Sequence, residues 1–233
     1  MSSPRRRGER ENTTGVGYNT PVVTSAQFVA CLGEVKASAI LRCPSQETAA
    51  AAMEAAVRGG FRVVEFTLTI PGALDLVRDF SRRSDLVVGA GTVLTRDEAR
   101  RSVEHGARFL VSPVMDPEVI AEAIVLGVTV IPGCHTPTEM LTAHRAGAPL
   151  QKLFPAPGQG PAYVRACLGP LPFLRLVPTQ GVDAANVRDW LDAGAYAVGI
   201  NNAVFDAAEL KSGRVDRIEE KARALLAAIR PRT

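Results

Sequence analysis

The sequence predicts an α/β chain folded as a (β/α)8 TIM barrel with an extra N-terminal helix. Three observations predict it. Short apolar runs rich in β-branched residues alternate with longer amphipathic or Ala-rich runs along the chain, and such alternation implies a parallel sheet covered by helices. The alternation repeats eight times, and eight units in roughly 200 residues suit a closed barrel better than an open doubly wound sheet. An open sheet of the dinucleotide-binding kind would need a Gly-rich fingerprint after its first strand. Cys43-Pro44-Ser45-Gln46 stands there instead.

The elements follow in order. Thr24 or Ser25 can cap a helix over 24–34, where apolar residues recur at helical spacing. Residues 37–42 read as the first strand, and 45–58 as an Ala-rich helix stopped by Gly59-Gly60. The second strand is 62–68, and Pro71-Gly72 opens the helix after it. The third strand is 86–90, followed by a helix from Thr95 to His105. Residues 108–111 form the fourth strand, and Asp116-Pro117 starts a helix that Gly127 stops. The fifth strand, 128–131, leads to a helix from Thr136-Pro137 to Gly147. Residues 150–154 are the sixth strand. A Gly/Pro-rich loop and a short helix at 162–168 come next. The seventh strand is 173–177, its helix 183–193, the eighth strand 195–199, and 214–230 a closing amphipathic helix.

The chain has 233 residues, 46% of them hydrophobic, which is ample for one domain core. Residues 1–20 form a polar arm with Arg5, Arg6, Arg7 and Arg10 against Glu9 and Glu11. That arm holds +2 of the net +3. It is expected to be disordered, with 21–233 as a single domain. A nearly neutral body argues against a nucleic-acid surface. No stretch has the length of a membrane span, and the arm lacks the apolar segment of a signal peptide. A cytoplasmic location is therefore expected. Cys31, Cys43, Cys134 and Cys167 match no metal or redox spacing. His105, His135 and His144 form no ligand pattern either, so no metal is expected. His135 follows Pro-Gly-Cys at a strand end, where it could line a site or serve as an ordinary loop residue.

Two residues are out of place in this pattern. Lys152 lies inside the apolar run Leu150-Gln151-Lys152-Leu153-Phe154. An ammonium taken out of water costs several kcal/mol unless it is paired. At a sheet edge it could point to solvent, but a closed barrel has no edge strand. With period-two alternation Lys152 shares a face with Leu150 and Phe154. That face can point at the barrel mouth, where the sites of such barrels lie. A lysine kept neutral by burial can attack a carbonyl and form a Schiff base. Glu65 sits just as oddly in Val63-Val64-Glu65-Phe66-Thr67-Leu68. It could be half of a structural ion pair, or a general acid/base tuned by burial. Together they would suit carbon–carbon cleavage beside a carbonyl, with the lysine as electron sink and the carboxylate as proton shuttle.

Further motifs stand at strand ends. Gly89-Ala90-Gly91-Thr92 ends the third strand, Pro178-Thr179-Gln180-Gly181 the seventh and Gly199-Ile200-Asn201-Asn202 the eighth. In many barrels the last two loops hold a substrate phosphate on backbone amides. Only Gly181 and Gly199 supply glycine here, so that signal is incomplete.

VEFTLT at 64–69, GAGTVLT at 89–95, VSP at 111–113, IPG at 131–133, KLFPA at 152–156 and VPTQG at 177–181 complete the pattern. In this order and spacing the chain resembles the bacterial 2-keto-3-deoxy-6-phosphogluconate (KDPG) and 4-hydroxy-2-oxoglutarate (KHG) aldolases. The resemblance spans about residues 24–230. It implies that Lys152 forms the Schiff base and that Glu65 is the acid/base. It implies that Thr92 touches the pyruvate carboxylate and that Thr179 influences substrate choice. Thr69, Pro113, Phe154, Gln180, Gly181, Gly199, Asn201 and Asn202 complete the candidate substrate-binding set. It further implies a homotrimer, a small 2-oxo acid as substrate, and no cofactor or metal. The chain departs from the family pattern in three places. Thr69 stands where many members have arginine, Gln180 stands for a glycine, and Asn201-Asn202 replaces a Gly/Ser phosphate loop. The phosphorylated sugar acid leads as substrate, with 4-hydroxy-2-oxoglutarate as the alternative. A phosphate-binding barrel isomerase would share the glycines but would not need Lys152. A non-catalytic barrel that binds 2-oxo acids would not need the intact pair.

Overall fold

The computed structural model describes residues 24–229. The polar arm at 1–20 lies outside the described residues. The chain begins with α1 (Ser25–Val35), β1 (Ala37–Leu41), α2 (Gln46–Arg58), β2 (Val63–Thr67) and α3 (Ala73–Phe80). It continues through β3 (Val87–Gly91), α4 (Arg96–Glu104), β4 (Phe109–Val111), α5 (Pro117–Val125), β5 (Thr129–Ile131) and β6 (Gly133–Cys134). Then come α6 (Pro137–Arg145), β7 (Gln151–Leu153), α7 (Pro161–Leu168) and β8 (Leu176–Pro178). The last elements are α8 (Val187–Asp192), β9 (Val198–Ile200), α9 (Ala207–Ser212) and α10 (Val215–Ile229).

Side-chain oxygens start the helices where the sequence places caps. The Thr24, Thr95 and Thr136 hydroxyls each accept the N–H three residues on. Gln27, Glu98 and Glu139 return the bond to the cap's own N–H, which satisfies two orphan donors per helix. Asp116 caps α5, with Pro117 in its first turn. One helix was not foreseen: α9, only six residues long, is held by the Asp206 carboxylate, which accepts from Ala208 and Glu209.

All named strand pairs are parallel. They form a six-stranded sheet, β5-β4-β3-β2-β1-β9, and a three-stranded sheet, β6-β7-β8. The expected fifth strand, 128–131, corresponds to β5, and β6 lies beyond its end in the other sheet. Pro132 separates the two, since it has no N–H to give to a ladder. Before it, the Ile131 carbonyl accepts from Ser112 at 3.2 Å; at it, the Pro132 carbonyl accepts from Lys152 at 2.9 Å. An isolated parallel bridge joins Thr179 to Gly199. The expected strand start at Phe173 is also corrected. Leu174 N–H closes a turn onto the Leu171 carbonyl, around Pro172, and Phe173 stays half exposed against the His144 ring. Pairing begins only at Leu176.

The core has two parts. The larger lies between strands and outer helices, where Ala-rich α2 buries Ala49, Ala52, Met53, Ala55 and Ala56. The smaller gathers Val63, Phe109, Val111, Ile131, Leu150, Val177 and Ala197 around Phe28, Val29 and Leu32 of α1. These side chains come from strands of both sheets, so α1 packs where the sheets face one another. The Phe28 and Phe109 rings stack with centroids 4.4 Å apart. Among the described residues no helix is long and apolar enough to cross a membrane.

Phe28→Ala should therefore destabilise the chain by about 3–5 kcal/mol, the usual loss for truncating a fully buried aromatic. Urea unfolding followed through Trp190, the single tryptophan, measures it. A loss below about 1 kcal/mol would mean that α1 does not hold the two sheets together.

Candidate active site

Lys152 occupies the middle of β7, paired in register with Gly133 on one side and Val177 on the other. It is 8% exposed. Its Nζ lies 4.8 Å from the Phe154 ring centroid. Burial, the largest influence, pushes its pKa below the ordinary lysine value; the Glu65 carboxylate pulls it back up and Arg42 adds to the lowering. The neutral amine is therefore available at lower pH than for a lysine in water.

Glu65 lies in β2, paired with Ile40 and Gly89, and is 1% exposed. Burial raises its pKa above the ordinary carboxylate value, while the charges of Lys152 and Arg42 oppose the rise. Its Oε1 is buried and has no hydrogen-bond partner among the described residues. No direct ion pair joins it to Lys152 there either. The two groups feel each other's field without closing on each other, which leaves both free for chemistry. Gly91 makes room for the carboxylate, since a Cβ at that position would overlap it.

A cavity of about 390 Å³ opens at the carboxyl ends of the strands. Lys152, Thr92, Pro113, Phe154, Thr179, Gln180, Asn201 and Asn202 line it, as the sequence pattern implies. Glu65 does not itself line it. Three expected residues fall outside. Thr69 lies beyond the end of β2 and is exposed, with its hydroxyl bonded to Thr67 Oγ1 at 2.8 Å. Gly181 is exposed in the loop after β8, and Gly199 is buried inside β9 against Thr179 and Ile40.

Four lining residues were not anticipated: Ile40, Arg42, Thr67 and Phe205. Signals existed for two of them. Thr67 follows Glu65 by two residues and so shares its face. Arg42 stands at the end of the first strand, where barrel sites are found. Its Nη2 donates to Thr92 Oγ1 at 3.3 Å. Phe205 lies in the loop after β9, far from any motif. Thr92 and Gln180 both hold left-handed backbone, at φ 60° and 75°. Such strain in non-glycine residues of roughly 1–3 kcal/mol concentrates at working sites.

A larger cavity of about 540 Å³ lies at the other end of the strands, beside Lys36, Phe61 and Leu226. Its charged side chains are all at least partly exposed. Among the described residues no group of three or more His, Cys, Asp or Glu could hold a metal ion.

The family model for KDPG and KHG aldolase matches residues 29–221. The chain belongs to the KDPG and KHG aldolase family. It is 34% identical over 200 residues to a 2-dehydro-3-deoxy-6-phosphogalactonate aldolase of Escherichia coli K12, covering 82% of this chain and 93% of that one. It is 32% identical over 202 residues to the KHG/KDPG aldolase of the same organism, covering 86% and 94%. Its fold is similar to that of the KDPG aldolase from Legionella pneumophila, at a TM-score of 0.76 and 26% identity over 83% of this chain and 97% of that one. That structure holds pyruvate captured as a covalent carbinolamine intermediate.

Burial of Glu65 has a consequence for stability. A carboxyl whose pKa is raised by folding supports the fold fully below its unfolded value, near 4.5, and loses that support as pH rises through the raised value. Glu65→Gln removes the titration. The stability of Glu65→Gln relative to the parent should therefore grow as pH rises above about 4.5. Urea midpoints of both proteins between pH 4 and 8 give the comparison, and a pH-independent difference would rule the assignment out.

Proposed function

We propose that this chain is a class I aldolase that cleaves a 2-oxo acid to pyruvate and an aldehyde through a Schiff base on Lys152. One observation carries the reading: a buried lysine with a lowered pKa lines a cavity beside a buried glutamate with a raised one. Opposite shifts in one site separate nucleophile from acid/base.

Neutral Lys152 attacks the C2 ketone, and loss of water gives the iminium. The iminium withdraws electrons while Glu65, acting through a water, takes the proton of the C4 hydroxyl. The C3–C4 bond then breaks and the aldehyde leaves. Protonation of the enamine at C3 and hydrolysis release pyruvate and restore the amine. Arg42 and the Thr92 hydroxyl, already hydrogen-bonded to each other, suit the C1 carboxylate. Thr67 offers a further hydroxyl in the cavity. This set takes the place that an arginine at position 69 would fill.

We read the leading substrate as 2-dehydro-3-deoxy-6-phosphogluconate, yielding glyceraldehyde 3-phosphate, and 4-hydroxy-2-oxoglutarate as the alternative. The loop after β8 favours keeping the alternative, because Gln180 places a side chain where glycine would leave amides open. The Asn202 N–H is also turned inward, onto Asn201 Oδ1 at 2.7 Å. We further infer that the two sheets form one closed (β/α)8 barrel with α1 across its N-terminal end. The single-residue interruption at Pro132, the Thr179–Gly199 bridge and the β1–β9 pairing support this closure. A homotrimer acting on carbohydrate-derived acids without a cofactor rests on the family resemblance, whereas a cytoplasmic location without a nucleic-acid partner or metal rests on the charge, hydropathy and residue spacing of the sequence.

Borohydride reduction with pyruvate present should add a stable pyruvate-derived mass to the parent protein. Lys152→Ala and Lys152→Arg should show neither adduct nor turnover, since a guanidinium stays protonated. An adduct that persists in Lys152→Ala would put the nucleophile elsewhere. Light scattering at micromolar concentration should return three times the chain mass; a monomer would remove the trimer and leave the chemistry untouched.

The loops provide a separate expectation. Gln180→Gly with Asn201→Gly and Asn202→Ser opens the amides and relieves left-handed backbone at position 180. It should raise kcat/KM for the phosphorylated acid about tenfold over the non-phosphorylated one, given about 1.5–3 kcal/mol per recovered charge-assisted bond. A parent that already strongly prefers the phosphorylated acid, with no gain in the triple variant, would show that the altered loops bind phosphate in their own way.

A further inference from the structure

We propose that His135, outside the cavity, is a positioning residue that holds the Phe154 ring over the reactive nitrogen of Lys152. The inference rests on the Schiff-base reading of Lys152 and adds a device that the six motifs do not contain.

His135 follows β6 and is exposed to solvent. It is nonetheless tied at three points. Its backbone N–H donates to Glu139 Oε2 at 2.8 Å, and the same oxygen takes the N–H and hydroxyl of Thr136. Its carbonyl accepts from the Tyr163 hydroxyl of α7 at 2.7 Å. Its Nδ1 lies 2.9 Å from the Pro155 carbonyl. A carbonyl can only accept, so Nδ1 carries the proton in this contact. The three bonds fasten the start of α6, the body of α7 and the chain leaving β7 to one residue.

Pro155 directly follows Phe154. The Phe154 N–H is fixed on the Cys134 carbonyl at 3.1 Å, and His135 secures the carbonyl of the residue that follows it. Between these two anchors, Phe154 presents its ring to Lys152 Nζ. The ring face attracts positive charge. The neutral amine gains little from it. The iminium that follows carries its charge at the same nitrogen and gains more. The ring thus favours the covalent intermediate over the free amine, provided that it stays in place. No water or second cation is needed.

The contact also predicts which replacement restores it. Asparagine presents an amide N–H near the position of histidine Nδ1, whereas alanine presents nothing. The experiment uses the full chain, pyruvate as the probe and borohydride trapping as the readout. In His135→Ala the pyruvate concentration giving half-maximal adduct should rise about 5- to 30-fold, the span of one ring–cation contact. The acidic limb of the trapping profile should move to lower pH, because a displaced ring no longer favours protonated Lys152. His135→Asn should return both values to within about threefold of the parent. Phe154→Leu should reproduce the alanine effect, and adding His135→Ala to it should change nothing more. Unchanged half-saturation and pH limb in a folded His135→Ala would overturn the proposal, as would full additivity with Phe154→Leu. If the parent itself traps no pyruvate, the Schiff-base reading fails and this inference fails with it. If the parent traps and the variants trap equally well, only the role of His135 falls.

Discussion

Everything at the working end of this fold depends on burying one lysine and one glutamate in the same interior without letting them neutralise each other. An ion pair would satisfy both and silence both. Among the described residues one Glu65 carboxylate oxygen has no partner, and Lys152 Nζ faces an aromatic ring. Desolvation dominates each shift and drives both groups toward their neutral forms. The surrounding hydrocarbon provides the medium in which that happens.

That arrangement explains why the neighbouring backbone is so specific. Gly91 has no Cβ, so the carboxylate can lie against β3. Gly133 pairs with Lys152, and Pro132 turns a carbonyl toward its N–H. The same proline separates β5 from β6. The ladder is interrupted at the residue whose carbonyl accepts from the Lys152 N–H, and a parallel sheet tolerates the interruption because pairing resumes immediately on the other side. The cost is one missing donor, not a lost element.

How much was legible follows from what each feature leaves in a sequence. Alternation and caps are local, so the helix starts at Thr95 and Thr136 could be read directly, while the Glu98 and Glu139 bonds that close them are seen only in the fold. Lys152 and Glu65 were legible because charge inside an apolar run has few explanations. Arg42 left only a positional signal: an arginine at a strand end also reads as a solvent-facing residue, and it is the fold that shows its bond to Thr92 in the cavity lining. Thr69 misled for the opposite reason. It sits in a motif position, yet the chain turns at the end of β2 and carries it into solvent while Thr67 faces inward. Motif membership fixes sequence distance; the direction of a side chain depends on where the strand stops. Phe205 left no trace, since its place depends on the loop after β9 folding back onto the Asn201 carbonyl.

The buried charged residues and the polar loop residues thus stand in different parts of the molecule. Lys152 and Glu65 are carried by strands, where the ladder holds each side chain to one direction. Gln180, Asn201 and Asn202 stand on loops or at strand ends, where a change of residue alters the reach of an amide without touching the core. The strain at Thr92 and Gln180 belongs to this boundary. Both residues line the cavity just past the end of a strand, where the backbone turns left-handed. Threonine and glutamine pay for that turn in backbone energy that glycine would not, and they bring a hydroxyl and an amide that glycine lacks. A change of loop residue can therefore alter these polar groups while the burial of Lys152 and Glu65 is left as it is.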